Sequence, residues 1–244
     1  MKQAVFKIIE NTALTNKVMR MRLAGDTSGF ERPGQFVDIR LERLFLRRPL
    51  SVCDWDNESF TVLYERVGRG TEQMAVLPTD EKLDVLTGLG NGYDISLAGE
   101  KPLLVGGGTG LSPLYGLAKA LLKHGACPSV ILGFHTAEEV FYAGEFEAMG
   151  IEPIIATEDG SCGVRGFVTE AMEFPYTFFY ACGTEAMLRA VCEKSRCPGQ
   201  ISMGKRLGCG FGACMGCTVL TKNGPKRICK EGPVLNSGEV IWED

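Results

Sequence analysis

No stretch of this chain strings together enough apolar residues to cross a bilayer. A spanning helix needs roughly 18, and every apolar run here is interrupted sooner. The first residues, MKQAVFKIIENTALTNKVMRMRL, alternate and carry charge where an export signal would have an unbroken apolar stretch. The cytoplasm is therefore the expected compartment. Surplus positive charge is missing as well. Lys and Arg total 26 against 30 Asp and Glu, a net charge of −4, so no basic field points to nucleic acid. The remaining composition, 45% hydrophobic and 23% charged over 244 residues, is that of a soluble globular chain with room for two domains or one large one.

Cysteine, by contrast, is abundant: there are 10. A reducing compartment disfavours disulfides, so clustered cysteines there bind metal or do redox chemistry more often than they cross-link. Cys53, Cys127, Cys162, Cys182, Cys192 and Cys197 are scattered, and most of them read as small buried hydrophobes. The other four are not scattered.

Residues 1–98 read as strands. In VMRMRLAG, Met19, Met21 and Leu23 alternate with Arg20 and Arg22. In FVDIRL, Val37, Ile39 and Leu41 alternate with Asp38 and Arg40, and SFTVLYERV repeats the period at Phe60, Val62 and Tyr64. Such segments, parted by turn signals, predict an antiparallel barrel, with one short helix at GTEQMAVLP. Near Lys101 the pattern changes to strand, glycine turn and helix. That helix carries Leu114, Leu117, Ala118, Leu121 and Leu122 on its apolar side and stops at Gly125. SVILGF, EPIIAT and YTFFYAC follow as strands, alternating with helices at AEEVFYAGEFEAMG, GFVTEAME and TEAMLRAVCEKS. Alternation of this kind predicts a doubly wound parallel sheet. From CPGQISMGKRLG onward neither period persists. The expected division is therefore a barrel at 1–98, an α/β unit at 99–196 and a small cysteine-rich unit at 197–244.

Cys209, Cys214 and Cys217 follow the spacing C-x4-C-x2-C, and Cys229 follows after eleven intervening residues. This is the plant-type [2Fe–2S] spacing. The neighbouring residues Gly208, Gly210, Gly212, Ala213 and Gly216 are small enough to let inorganic sulfide lie against the backbone. A structural zinc site would favour two C-x2-C knuckles, and only one is present. The cluster ranks first, zinc second and a disulfide pair last.

In LLVGGGTGLSP, Gly106, Gly107, Gly108, Thr109 and Gly110 stand between a buried strand and a helix. Glycines admit a pyrophosphate to the backbone and the helix start supplies free N–H groups. Glu138 and Glu139 in HTAEE are candidates for ribose hydroxyls, and no Arg or Lys there meets a 2′-phosphate. The expected dinucleotide is NAD. LRRPLS and YERVGRGT offer a phosphate clamp, although alone they read as ordinary turns.

Taken together, the barrel carrying R-x-x-S, the nucleotide-binding α/β unit and CGFGACMGC…RICKEGPVL resemble the ferredoxin–NADP reductase superfamily. Within it the chain resembles the electron-transfer subunit of class B dihydroorotate dehydrogenase. The likeness runs through Arg48-Pro49-Leu50-Ser51, Gly70-Thr71, residues 106–110, Asp159-Gly160-Ser161 with Gly163 and Gly166, Tyr180 to Leu188 and Cys229 to Val234. It implies FAD held by Arg48, Pro49, Leu50 and Ser51, with Leu63, Tyr64 and Glu65 along the adenine or ribitol side and Gly70 and Thr71 on phosphate. It implies NAD at Gly106 to Gly110, with Cys182 as a candidate for the nicotinamide end, and [2Fe–2S] on Cys209, Cys214, Cys217 and Cys229. The implied partner is an FMN-bearing catalytic subunit, in a heterotetramer of two of each. Dihydroorotate would be oxidised there, not here. Two rival readings are a reductase subunit of another complex, hydrogenase-like or a ferredoxin-dependent transhydrogenase, and a zinc-stapled nucleotide-binding module.

Overall fold

The fold, a computed structural model that describes residues 1–242, begins with six strands in a closed barrel. They are β1 (Lys2–Ala13), β2 (Val18–Ala24), β3 (Phe36–Ile39), β4 (Arg48–Trp55), β5 (Ser59–Glu65) and β6 (Lys82–Leu89). They pair in the order β1-β2-β5-β4-β3-β6, all antiparallel, with β6 closing onto β1. The alternation in the sequence explains the closure: Phe6, Ile8, Met21, Leu23, Ile39, Phe60 and Val62 all point inward and are buried. Phe6 and Phe60 meet edge to face at 4.9 Å, a preferred aromatic geometry. Helix α1 (Arg69–Ala75) sits between β5 and β6.

One residue breaks the barrel's inside–outside rule. Asp38 falls on the side expected to face solvent, yet it is 2% exposed. The cysteine loop covers it: a Cβ on Gly210 would collide with the Asp38 carboxylate.

The second body is a seven-stranded sheet in the order β10-β9-β8-β7-β11-β12-β15. Its strands are β7 (Leu103–Gly107), β8 (Ser129–Phe134), β9 (Ile154–Thr157), β10 (Val164–Arg165), β11 (Phe179–Gly183), β12 (Gly199–Met203) and β15 (Val234–Asn236). All pairings are parallel except that of β15 with β12. Helix α2 (Ser112–Lys123) buries Leu114, Leu117, Ala118 and Leu121. Gly125 follows it at φ +88°, the left-handed stop that glycine favours. Helix α4 (Glu185–Lys194) is capped by the Thr184 hydroxyl, which accepts from Met187 N–H at 3.3 Å.

Three expected elements come out differently. The helix expected over AEEVFYAGEFEAMG is a 3₁₀ turn (Ala137–Glu139) followed by the short α3 (Ala143–Glu147). Phe141 and Tyr142 are both buried, and Tyr142 adopts φ +65°, so the chain swerves to bury two successive aromatic rings. GFVTEAME forms only a 3₁₀ turn, Val168–Ala171. Beyond residue 196, where periodicity vanishes, the chain still supplies β12 and β15 to the sheet. All five β12 residues are buried, Gln200 and Ser202 included, and a strand covered on both faces shows no alternation.

Residues 204–242 otherwise form an irregular unit around the hairpin of β13 (Thr218–Val219) and β14 (Lys226–Arg227). Asn91, just past β6, holds this unit to the barrel. Its side-chain amide donates to Val234 O at 2.8 Å and Glu231 O at 3.2 Å, and its Oδ1 accepts from Val234 N–H at 3.1 Å.

Candidate functional site

Helix α2 decides what faces what. It lies between the sheet and β4, with Lys119 bridging Asp54 at 2.6 Å and the Ser112 hydroxyl donating to Ser51 O at 3.4 Å. A Cβ on Gly116 would lie 2.7 Å from Cys53 O. The glycine turn that begins this helix is thereby set beside the 48–51 strip of the barrel.

A cavity of about 520 Å³ opens at the carboxyl ends of β7, β8 and β9. Gly107, Gly108 and Thr109 line it from the turn, and Thr184 and Met187 from the start of α4. Gly110 closes the turn: a Cβ there would strike the Cys182 carbonyl oxygen, so only glycine lets the turn lie against β11. Glu139 lines the cavity and Glu138 is exposed outside the lining. Glu65, expected on the flavin side, lines this cavity too. Sequence reasoning did not single out Glu158 or His135, which stand in the lining 2.9 Å apart. Cys182 sits where β11 meets the turn, and burial pushes its thiol up to about 12.

On the barrel, Arg48, Pro49, Leu50 and Ser51 are all half-exposed. Arg48 and Gly70 lie side by side, since a Cβ on Gly70 would land on the Arg48 guanidinium. Two segments 22 residues apart in the chain thus converge on one place. Arg48 Nη1 donates to Leu46 O at 2.6 Å and Arg47 O at 3.2 Å. The Thr71 hydroxyl accepts from Val67 N–H at 3.0 Å and Gly68 N–H at 3.3 Å. Leu63 is buried in the core shared with the α/β body. Tyr64 points into the barrel, where its hydroxyl donates to Asn11 Oδ1 at 2.9 Å. Its side chain is therefore occupied within the barrel.

The four clustered thiols fall into two pairs. Cys217 and Cys229 are buried, with sulfurs 3.3 Å apart. Cys209 Sγ accepts backbone N–H from Ala213 at 3.2 Å and Cys214 at 3.4 Å, and the Cys214 thiol also faces it. Burial raises the Cys209 thiol, but the N–H groups of Cys214, Phe211 and Ala213 outweigh it and bring the group down to about 6. Cys229 is pushed up to about 12 by burial and by Cys217 beside it. Among the described residues, no group of three or more His, Cys, Asp or Glu gathers at a single metal-ion position. Two thiols per iron is the arrangement a four-cysteine [2Fe–2S] cluster takes. The donor set is all sulfur, and a Cβ on Gly208 or Gly216 would lie 3.2 or 3.6 Å from Cys214 Sγ, so these residues fit such a cluster. Arg227 braces the loop, its Nη1 donating to Gly212 O at 2.7 Å while Glu231 pairs with the same guanidinium. Burial pushes the Asp38 carboxyl under Gly210 up to about 7 against the pull of Arg47. Asp38 Oδ1 has no hydrogen-bond partner.

Residues 204–241 match the iron–sulfur cluster binding domain of dihydroorotate dehydrogenase B, and residues 104–193 match the oxidoreductase NAD-binding domain. The chain is 38% identical over 258 residues to the dihydroorotate dehydrogenase B (NAD(+)) electron transfer subunit of Geobacillus sp. (strain WCH70), covering 99% of each chain. It is 42% identical over 224 residues to the corresponding subunit of Bacillus caldolyticus, covering 86% of this chain and 87% of that one. Among solved structures, a chain of the NADH-dependent reduced ferredoxin-NADP oxidoreductase, described for flavin-based electron bifurcation, superposes with a TM-score of 0.88 at 29% identity over 98% of this chain and 90% of that chain.

Proposed function

The chain belongs to the family of electron transfer subunits of NAD(+)-dependent dihydroorotate dehydrogenase B, and from that membership we propose that it carries electrons from a flavin-bearing catalytic subunit to NAD+ in pyrimidine biosynthesis. The observation that carries the proposal is the adjacency of three sites in one fold. Gly107 to Thr109 face the cavity, Arg48 to Ser51 lie beside them across α2, and Gly210 of the cysteine loop sits over Asp38 of the neighbouring strand. When bound, FAD exchanges two electrons as a hydride with NAD and single electrons with [2Fe–2S], so its place is between them.

The chain's own residues divide the work. Arg48, beside Gly70 and Thr71, holds the flavin pyrophosphate by charge-assisted hydrogen bonds. Pro49, Leu50 and Ser51 run along the ring, and the β5 segment Leu63, Tyr64 and Glu65 borders the adenine or ribitol side, with the Tyr64 side chain turned into the barrel. Gly106 to Gly110 admit the NAD pyrophosphate against backbone, as the turn at a parallel sheet's switch point does. Cys182 stands at the nicotinamide end. Cys209, Cys214, Cys217 and Cys229 hold the cluster. The three units are 1–98, 99–196 and 197–244, with β12 and β15 of the last completing the sheet of the second. The working assembly is a cytoplasmic heterotetramer of two electron-transfer and two FMN-bearing chains. Among the described residues no helix is long and apolar enough to cross a membrane.

The similarity to the NADH-dependent ferredoxin-NADP oxidoreductase chain favours one other reading, a reductase subunit serving that kind of complex. The co-purifying chain separates the two. Phe211 and Met215, 47% and 54% exposed on the cysteine loop, form the docking surface in this proposal. The purified chain alone should reduce dyes with NADH and leave dihydroorotate untouched. Adding the FMN-bearing subunit should start dihydroorotate-dependent NAD+ reduction. Charged residues at 211 and 215 should abolish the coupled reaction and spare NADH–dye activity. If both activities fell together, or the chain oxidised dihydroorotate unaided, the division of labour would be wrong.

A further inference from the structure

The cavity has two ends of different chemistry. Near β7 and β11 it is lined by backbone and small residues, Gly107, Gly108, Thr109 and Thr184. Two strands away, past the ends of β8 and β9, it is lined by His135, Glu139 and Glu158. Adjacent strands lie about 4.8 Å apart, so the acidic end is about 10 Å from the glycine turn. An adenosine whose pyrophosphate rests on the turn reaches it.

Charge decides what that end accepts. Three carboxylates, Glu65, Glu139 and Glu158, face the cavity, and Lys17 is the one lysine or arginine among its described lining residues. Lys17 is already committed to Glu139 at 2.9 Å. His135 Nδ1 stands 2.9 Å from Glu158. No lining cation is left without a carboxylate beside it. A carboxylate accepts hydrogen bonds from two ribose hydroxyls, whereas a 2′-phosphate brought to the same place meets like charge.

We infer that Glu158, with Glu139 beside it, sets the dinucleotide preference of this chain, accepting the adenosine ribose hydroxyls of NAD(H) and repelling the 2′-phosphate of NADP(H). This deepens the proposed function and rests on its reading of the cavity as the nicotinamide dinucleotide site. Glu158 is 45% exposed, so salt screens the repulsion and the preference shrinks as ionic strength rises.

The test uses the full chain with its cofactors. NADH and NADPH are compared by kcat/KM with a dye acceptor, and NAD+ and NADP+ by calorimetric titration, which needs no turnover. The wild type should favour NADH by roughly 100-fold at low salt. Glu158→Gln should weaken NADH and strengthen NADPH, narrowing the ratio about 10-fold, and Glu158→Arg should narrow it further or invert it. Circular dichroism and flavin content report folding, and the isosteric Gln variant serves if the Arg variant does not fold. A ratio unmoved in a folded Gln variant, or a wild type that prefers NADPH, overturns the assignment while leaving the dinucleotide site standing. A wild type that binds neither nucleotide overturns the assignment and the reading beneath it.

Discussion

Replacing Gly210 by Ala tests how the cysteine loop is held to the barrel. Gly210 follows the first cysteine of the cluster motif and has φ +76°, and a Cβ there would fall on the carboxylate of Asp38. Two effects add. A left-handed backbone with a side chain costs about 1–2 kcal/mol. The collision has no easy relief, because Asp38 is 2% exposed on a strand paired on both sides, and overpacking of this kind costs about 1–3 kcal/mol. Together about 2–5 kcal/mol act against the docked loop, raising the undocked population roughly 30-fold to several-thousand-fold. The assay is iron and acid-labile sulfide per chain after purification, with FAD per chain as the internal control. Gly210→Ala should lose most of its iron and sulfide and keep its flavin. The double variant Asp38→Ala/Gly210→Ala removes the collision but not the backbone cost, so it should recover part of the cluster, with a coupling of about 1–3 kcal/mol in loop stability. Full iron and sulfide in the single variant, or a double variant no better than the single, would refute the reasoning.

Three further outcomes are expected. Cys229→Ala should abolish the cluster's visible absorbance while FAD remains, because the thiol lies 3.3 Å from Cys217 and on a separate unit from the barrel; a full cluster in that variant would move the fourth ligand elsewhere, Cys197 first. Arg48→Ala removes a charge-assisted partner worth about 1.5–3 kcal/mol, so equilibrium dialysis should find FAD bound roughly 10- to 100-fold more weakly; unchanged retention would dissociate Arg48 from the flavin. Asp38 is raised in the folded chain to about 7, above its unfolded value of about 3.9, so the folded state holds the proton over the pH range where the unfolded state has lost it. Stability should therefore fall as pH rises from about 4 through 7, by about 2 kcal/mol between pH 5.5 and 8. Asp38→Asn should flatten that part of the melting profile, and parallel profiles for the two proteins would count against the buried carboxyl as its source.

Some of this was written in residues close together in the chain. The spacing of Cys209, Cys214 and Cys217 lies within nine residues, and the glycine turn joins a strand directly to a helix. Period-two alternation named the barrel strands β2 and β5 because each has one face in the core and one in water. Where both faces are covered the signal fails, as it does at β12 and at Asp38. The broken helix at Tyr142 failed for a related reason: burying two neighbouring rings overrode helical propensity.

The sequence alone therefore determined the alternating barrel strands, the kind of cluster and the glycine turn, because each depends on residues within one or two turns of backbone. Tertiary structure decided which distant groups meet. It set Arg48 against Gly70, paired Cys217 with Cys229, laid Gly210 over Asp38 and brought Glu158 into the same cavity as Glu139. Those meetings depend on strand order and domain packing, which bring residues far apart in the chain into contact and leave no local period to read.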